Sequence, residues 1–197
     1  MPCPKQKQRV VMLHGVEFTK KSRSNLCRFA PAFNRAGFEV VLPTYGYIPA
    51  LLVGIFDWID RRIADSMSAF IQDGDIVLGH SNGATLAYLI SKHHHIKGAI
   101  LINPALEPDM VPDAEFTHVY FNAGDIVSRL SAMLPFNPWG SMGQVGYIGS
   151  DKRVTNFDCE NTPNLPFLNG HSDIFMPGKT RPWSAFIAQA CLTALES

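Results

Sequence analysis

Short runs of apolar, largely β-branched residues recur along the chain, and segments with a helical spacing of apolar residues separate them. Most of these runs are continuously apolar rather than alternating with polar residues, as in strands that are buried on both faces of a sheet. The predicted strands are residues 8–14, 38–43, 75–79, 97–103, 117–123 and 152–158. Since parallel strands need long crossover connections, the pattern predicts an α/β fold: a mostly parallel central sheet flanked by helices on both faces.

Three segments have the apolar spacing of amphipathic helices, at residues 26–33, 56–70 and 182–194. In the second segment the acidic residues, including Asp60, alternate with arginines, and we expect them on a solvated polar face. Residues 136–150 are rich in glycine and aromatic residues and lack a helical pattern. No repeat of fixed period or linker-like stretch divides the chain, so we expect a single domain over residues 1–197.

Charge and composition exclude several classes of protein. Lysine and arginine together number 17, as do aspartate and glutamate, and 46% of the residues are hydrophobic, which argues against a nucleic-acid partner and against disorder. The polar N-terminus precedes no signal-peptide core, and the longest apolar run, residues 47–56, is too short to cross a bilayer. We therefore expect a cytoplasmic protein without an integral membrane segment.

The cysteine and histidine patterns do not predict a metal site. The four cysteines are far apart and form no C-x-x-C pair, which is typical of free thiols in a reducing compartment. Three successive histidines, residues 93–95, lie between a predicted helix and a strand, where a solvated turn is the simpler interpretation. We expect no metal and no cofactor.

A tight turn follows the third predicted strand. It reads Gly79-His80-Ser81-Asn82-Gly83 and leads directly into the helix-like sequence ATLAYLI. This is a G-x-S-x-G pattern, in which a strained turn exposes the serine hydroxyl above the sheet while the glycines allow the backbone to approach closely. A serine that only caps the helix would not need a glycine on each side. We predict that Ser81 is a nucleophile.

With this ordered arrangement of strand, turn and helix, the chain resembles the α/β-hydrolase superfamily over most of its length, in particular small serine esterase or lipase-like members without a large cap domain. The chain departs from the common pattern because it starts directly at the strand that precedes His14 and Gly15. The resemblance nominates the backbone N–H of Val16 as one donor of an oxyanion hole. The second donor follows from the turn itself: the N–H of Asn82, beside the nucleophile at a helix N-terminus.

The resemblance also implies a chain order of serine, acid and histidine. Asp125 follows the strand at residues 117–123 and is the candidate acid, and His171, in the loop before the last helix, is the candidate base. Asp158 and Asp173 are alternative acids. His118 precedes Asp125 within a strand, and we expect a structural role for it. His14 and His80 are not expected to be the base.

Two segments should leave the carboxyl edge of the sheet, where ligands bind in open α/β folds. One is residues 46–56, and the other is an insertion at about 126–150, which we expect over the site. The apolar residues proposed to bind substrate are Leu51, Phe56, Leu134 and Trp139. Arg129 and Arg153 could each lie near the mouth of the site.

Together these features predict a serine hydrolase that cleaves carboxylic esters of a small-molecule or lipid-like acyl substrate through an acyl-enzyme intermediate. Thioesterase, amidase or other acyl chemistry on the same fold is an alternative, and so is a binding module that retains the fold without catalysis. The sequence leaves the acyl chain length and the oligomeric state open.

Overall fold

Six parallel strands form the central sheet of the computed structural model, which describes residues 7–15, 23–46, 57–131 and 139–197. The strands are β1 (Arg9–Leu13), β2 (Glu39–Val41), β3 (Ile76–His80), β4 (Ile96–Ile102), β5 (Ala114–Phe121) and β6 (Val154–Asp158). Every neighbouring pair is parallel, so the α/β class predicted from the apolar runs is confirmed, and each predicted strand overlaps an observed one.

The strand order, β2-β1-β3-β4-β5-β6, places the centre of the site. The chain leaves β1 toward β2 on one side and then returns to β3 on the other side. Ligands of open parallel sheets bind where the winding direction reverses in this way, at the carboxyl ends of the two adjacent strands on either side of the reversal. Here those ends are His14-Gly15 after β1 and Ser81 after β3.

The α-helices of the described residues are α1 (Arg23–Leu26), α2 (Ala30–Arg35), α3 (Asp57–Ser68), α4 (Asn82–Ile90), α5 (Ile126–Ser131), α6 (Met142–Val145) and α7 (Thr180–Glu196). A short 3₁₀ helix, Asp173–Phe175, precedes α7. None of the helices in the described ranges is both long enough and apolar enough to span a membrane.

Helices cover both faces of the sheet. Successive strand residues alternate between the faces, so that Val10 and Met12 join one core cluster while Val11 and Leu13 join the other. The first cluster packs against α2 and α7, where Trp183 is fully buried. The second packs against α3 and α4. The strands are therefore fixed from both sides, which gives the loops at their carboxyl ends a rigid base.

The helices differ from the expectations in three places. The segment 26–33 is divided into α1 and α2, and α2 has a proline in its first turn, a position where proline is well tolerated. Within residues 136–150 the chain forms α6, so the expectation of no helix there was wrong. Phe70, assigned to the apolar side of the second helix, lies beyond the end of α3 and is 44% exposed.

Candidate active site

Ser81 lies in a strained turn between β3 and α4. Its backbone has φ 55° and ψ −125°, a conformation that L-residues rarely adopt and that tertiary structure must enforce. Ser81 occupies the cap position of α4, yet its side chain makes no capping hydrogen bond. The turn therefore presents the hydroxyl for another purpose than helix capping.

Both glycines of the turn are required by close backbone contacts. A side-chain carbon at Gly79 would lie 2.6 Å from the Ala84 nitrogen, in the first turn of α4. A side-chain carbon at Gly83 would lie 2.9 Å from the carbonyl oxygen of His14 and closer still to that of Leu13. The helix thus begins directly against both β3 and β1, which explains the glycine on each side of the pattern.

The end of β1 lies against Ser81. A side-chain carbon at Gly15 would be 2.7 Å from Cβ of Ser81 and 3.3 Å from its hydroxyl oxygen. Val16, the first proposed oxyanion donor, follows Gly15 but lies outside the described residues. Asn82, the second, is the first residue of α4 and is buried. Its N–H belongs to the first helical turn, whose N–H groups have no acceptor within the helix.

The Asn82 side chain is held by Asp60 from α3. The Asn82 amide nitrogen donates a hydrogen bond to a carboxylate oxygen of Asp60 at 3.0 Å, and Asp60 is only 4% exposed. The expectation that Asp60 lies on a solvated face was therefore wrong. Asp60 lies on the same face of α3 as Ile63 and Met67, and this face packs against α4.

Asp125 and His171 form a direct pair. The Nδ1 atom of His171 lies 2.9 Å from Oδ2 of Asp125, and Asp125 is completely buried just after β5. Because a carboxylate only accepts, Nδ1 of His171 carries the hydrogen and Nε2 remains available as a base. The structure thus brings together the acid and the base that the chain order nominated, with Ser81 at the same edge of the sheet.

Asp125 also receives hydrogen bonds from its surroundings. The N–H groups of Val127 and Ser128 donate to Oδ1 at 3.0 and 3.2 Å, while the Ser128 hydroxyl and the Asn103 amide donate to Oδ2 at 3.1 and 3.2 Å. Burial alone would raise the pKa of Asp125, but His171 and Ser128 outweigh it and hold the pKa below its ordinary value. Asp125 is therefore a carboxylate at neutral pH.

Asn103 and Ser128 were not singled out from the sequence. Asn103 follows β4 with a positive φ of 42° and is 1% exposed, a position where asparagine is favoured over other non-glycine residues. Ser128, in the first turn of α5, is also buried. The only signal for Asn103 in the sequence is a polar residue directly after a buried strand, at the edge where ligands bind.

His80, the last residue of β3, contacts the loop that carries His171. Its Nε2 atom lies 3.0 Å from the backbone carbonyl oxygen of His171, and the two imidazole rings are 5.0 Å apart. Burial, followed by the nearby His171, lowers the pKa of His80 to about 3. His80 is therefore neutral at physiological pH, and its Nε2 atom is engaged by the His171 carbonyl oxygen. That His80 is not the base stays a prediction.

The alternative acids have other partners. Asp173 accepts hydrogen bonds from the Asn169 N–H and from Lys179, both at 3.1 Å. Asp158 accepts hydrogen bonds from the Asn161 amide at 2.7 Å and from the backbone N–H of Glu160 at 2.9 Å. His118 is buried in β5 among aromatic rings, which agrees with a structural role.

The predicted substrate-binding residues are described only in part. Leu51, Phe56 and Leu134 lie outside the described residues, whereas Trp139 is described and half-buried. Helices α5 and α6, within the proposed insertion, border Asp125: a side-chain carbon at Gly143 of α6 would lie 2.8 Å from Oδ2 of Asp125. The insertion over the site and a role for Trp139 in binding stay predictions.

Arg153 lies at the wrong edge of the sheet for a role at the mouth. It directly precedes β6, at the amino end of the strand, and its guanidinium pairs with Asp151 at 2.7 Å and Asp113 at 3.2 Å. The expectation for Arg153 was therefore wrong. Arg129 is exposed on α5, one helical turn beyond Asp125.

An apolar groove of about 330 Å³ lies between Tyr45 and α3. Its lining includes Trp58, Ile59 and Ile63. The Tyr45 hydroxyl donates a hydrogen bond to the Gly15 carbonyl at 2.8 Å, and Gly15 lies against Ser81. Tyr45, in one wall of the groove, is thus connected through Gly15 to the turn that carries Ser81.

Solved structures show which known fold this arrangement shares. A hydrolase of the α/β superfamily from Xanthomonas campestris aligns with a TM-score of 0.57 and 15% identity, over 95% of this chain and 99% of its own. An extracellular α/β-hydrolase from a Paenibacillus species aligns with a TM-score of 0.54 and 13% identity, over 95% of this chain and 98% of its own. Lipase B of Aspergillus fumigatus aligns with a TM-score of 0.52 and 16% identity, over 86% of this chain and 49% of its own.

No protein-family model and no curated protein sequence matches the chain. The resemblance to α/β-hydrolases, first suggested by the turn around Ser81 and the order of Ser81, Asp125 and His171, is borne out by structures that match nearly the whole chain. At 13–16% identity this likeness concerns the arrangement of helices and strands. The chain therefore has the α/β-hydrolase fold.

Proposed function

We propose that the protein is a serine hydrolase that cleaves carboxylic ester bonds. The observation that carries the proposal is the 2.9 Å pair between His171 Nδ1 and the buried Asp125 carboxylate, at the same sheet edge as the strained turn of Ser81. A histidine oriented by a buried carboxylate has its second nitrogen free to act as a base. A serine hydroxyl needs such a base to become a useful nucleophile.

In the proposed mechanism Ser81 attacks the carbonyl carbon of the ester while Nε2 of His171 accepts the hydroxyl proton. Asp125 holds the ring of His171 and stabilises the imidazolium that forms. His171 then gives the proton to the departing alcohol, leaving an acyl group on Ser81. Water, activated by the same histidine, attacks the acyl group and regenerates Ser81. The acyl group passes from the ester to Ser81 and then to water, which yields the carboxylic acid, while His171 carries the protons, so the reaction needs no cofactor.

Negative charge develops on the carbonyl oxygen during both attacks. The backbone N–H of Asn82 is proposed as one donor to that oxygen, because it lies beside Ser81 at the positive end of α4. The N–H of Val16 is proposed as the other, because the residue before it, Gly15, lies against Ser81. Two backbone donors form the usual oxyanion hole of acyl transfer.

An apolar, small-molecule or lipid-like ester is the proposed substrate class. The groove beside Tyr45 supports this class because its walls are mostly apolar, with Arg62 and Ser66 as the polar lining residues. It also supports this class because the Tyr45 hydroxyl donates a hydrogen bond to Gly15, which lies against Ser81. Lipase B of Aspergillus fumigatus, which shares the fold, supports ester chemistry as the first choice to test.

Ester hydrolysis by the purified protein tests the proposal. We expect turnover of 4-nitrophenyl acetate or butyrate by the wild type and a loss of at least about 10³-fold in kcat for Ser81→Ala, because the nucleophile is absent. Ser91→Ala, directly after the other end of α4, is the control for the loss of a serine that flanks this helix. Equal turnover by the Ser81→Ala variant would contradict the proposal.

A further inference from the structure

We infer that His80 is a positioning residue, which sets the location of His171 by holding the backbone of its loop. The inference rests on the proposed function, because it assigns His80 a role toward the proposed base. It depends on the contacts of one side chain that directly precedes the nucleophile.

His80 connects two distant parts of the chain. Its Nε2 atom lies 3.0 Å from the carbonyl oxygen of His171. A carbonyl only accepts hydrogen bonds, so Nε2 of His80 carries the hydrogen and donates it. Because His80 and Ser81 are consecutive, this single bond ties the backbone of the proposed nucleophile to the backbone of the proposed base.

Among the described residues, two hydrogen bonds bind His171 itself, and they have different effects. Asp125 binds the ring through Nδ1 and sets its orientation. His80 binds the main chain and sets the distance of the whole residue from β3. The neighbouring contact, from the Asn122 amide to the Gly170 carbonyl, is long at 3.5 Å. A displacement of about 1 Å in a catalytic group can lower the rate about 100-fold, so we expect the hydrogen bond from His80 to affect the reaction rate.

The surroundings keep His80 in the form that the role needs. The ring is 9% exposed and meets Phe175 edge-on at 4.9 Å, so its orientation is fixed by packing. Burial and the proximity of His171 lower the pKa of His80 to about 3. A neutral His80 does not repel the imidazolium that forms on His171 during the reaction, although the rings are 5.0 Å apart.

Two substitutions of His80 distinguish the effect of its hydrogen-bond donor from the effect of its ring. His80→Phe keeps a planar ring but removes the donor, whereas His80→Gln keeps an N–H donor at a reach close to that of Nε2. His80→Met is a second variant without a donor, should the phenylalanine be poorly accommodated. The matched control is His118→Phe, which removes another buried histidine of the sheet that has no contact with His171 among the described residues.

The first readout is the rate of 4-nitrophenyl ester hydrolysis, together with the labelling rate by a fluorophosphonate. We expect kcat/KM to fall about 10- to 100-fold in His80→Phe, and to recover most of that loss in His80→Gln. The kcat/KM of His118→Phe should stay within about 2-fold of the wild-type value, even if its melting temperature falls as far as that of His80→Phe. Equal losses in the phenylalanine and glutamine variants, or the same loss in His118→Phe, would overturn the inference.

The second readout needs no activity. The Nδ1 proton of His171, hydrogen-bonded to a buried carboxylate, should give a downfield proton NMR resonance that Asp125→Asn abolishes. We expect this resonance to broaden or shift in His80→Phe and to persist in His80→Gln. An unchanged resonance in His80→Phe would overturn the inference. If the wild type neither hydrolyses esters nor labels, the proposed function fails, and the resonance alone decides whether His80 positions His171.

Discussion

Asp125 is the residue on which the candidate site depends most. It is completely buried and yet accepts hydrogen bonds from two backbone N–H groups, the Ser128 hydroxyl and the Asn103 amide, in addition to His171. A buried carboxylate without such partners would be costly and would take up a proton. With them its pKa stays below the ordinary value. The fold therefore provides a fixed negative charge beside His171, the proposed base.

Asp125→Asn tests this role. An asparagine can present an N–H to His171 and thereby favour the tautomer in which Nε2 carries the hydrogen and cannot act as a base. We expect kcat/KM for a 4-nitrophenyl ester to fall about 10³- to 10⁴-fold, the loss that this substitution causes in established Ser-His-Asp triads. Asp173→Asn is the control, since Asp173 binds Lys179 and not His171. An Asp125→Asn variant with wild-type activity would exclude Asp125 as the acid.

At the scale of elements, α3 and α4 are joined by a buried polar contact. The carboxylate of Asp60 accepts a hydrogen bond from the Asn82 side chain at 3.0 Å. Asn82 is also the residue whose N–H is the proposed oxyanion donor, so this contact supports the first turn of α4. The start of the helix is thus fixed by β1 and β3 through the glycines and by α3 through Asp60.

Asp60→Ala should destabilise the fold. Removing the carboxylate leaves the buried Asn82 amide without this acceptor, which costs about 1–3 kcal/mol in the free energy of unfolding. Asp57→Ala, on an exposed position of the same helix, should change stability by less than about 0.5 kcal/mol. Urea denaturation of both variants measures the difference. Equal stability of the two variants would show that the Asp60 contact contributes nothing.

At the scale of the whole molecule, buried histidines make the fold sensitive to acid. Burial lowers the pKa of His118 to about 4, and burial together with His171 lowers that of His80 to about 3, from an ordinary 6.5. Both are neutral in the folded and unfolded states above pH 6.5. Below that pH the unfolded chain binds protons that the folded protein does not, so stability is lost as the pH falls.

The expected loss between pH 6.5 and 4.5 is up to about 1.4 kcal/mol per pH unit for each of these histidines. His118→Phe removes one of them, so its stability should decrease with acidification by a visibly smaller slope than that of the wild type. Urea denaturation at pH 7, 6 and 5 measures both slopes. Parallel slopes for the two proteins would contradict a neutral, buried His118.

The strand positions and the turn of Ser81 could be predicted because they depend on local pattern. Continuous apolar runs mark strands that are buried on both faces, and the glycines around Ser81 mark a close contact that glycine alone permits. The order of Ser81, Asp125 and His171 came from the resemblance, and the structure brings Asp125 and His171 together at 2.9 Å.

Two of the supporting contacts could not be predicted because they join residues distant in the chain. Asn103 contacts Asp125 and His80 contacts His171 only once the sheet has formed, whereas Ser128 lies one helical turn from Asp125 and its contact is local. Asp60 is a different case. It shares with Ile63 and Met67 the spacing of a buried helical face, but its charge led to its assignment to the solvated side. The spacing predicted the burial of Asp60 better than its charge did, because the Asn82 amide donates a hydrogen bond to the buried carboxylate.

The most direct test of the central claim is the intact mass of the protein after incubation with a fluorophosphonate probe. The account predicts one stable adduct on the wild type, none on Ser81→Ala and far slower labelling of His171→Ala, because the probe reacts with a serine only when a base activates it. An adduct on Ser81→Ala at the wild-type rate, or a folded wild type that does not react, would contradict the assignment of Ser81 as a nucleophile activated by His171 and Asp125.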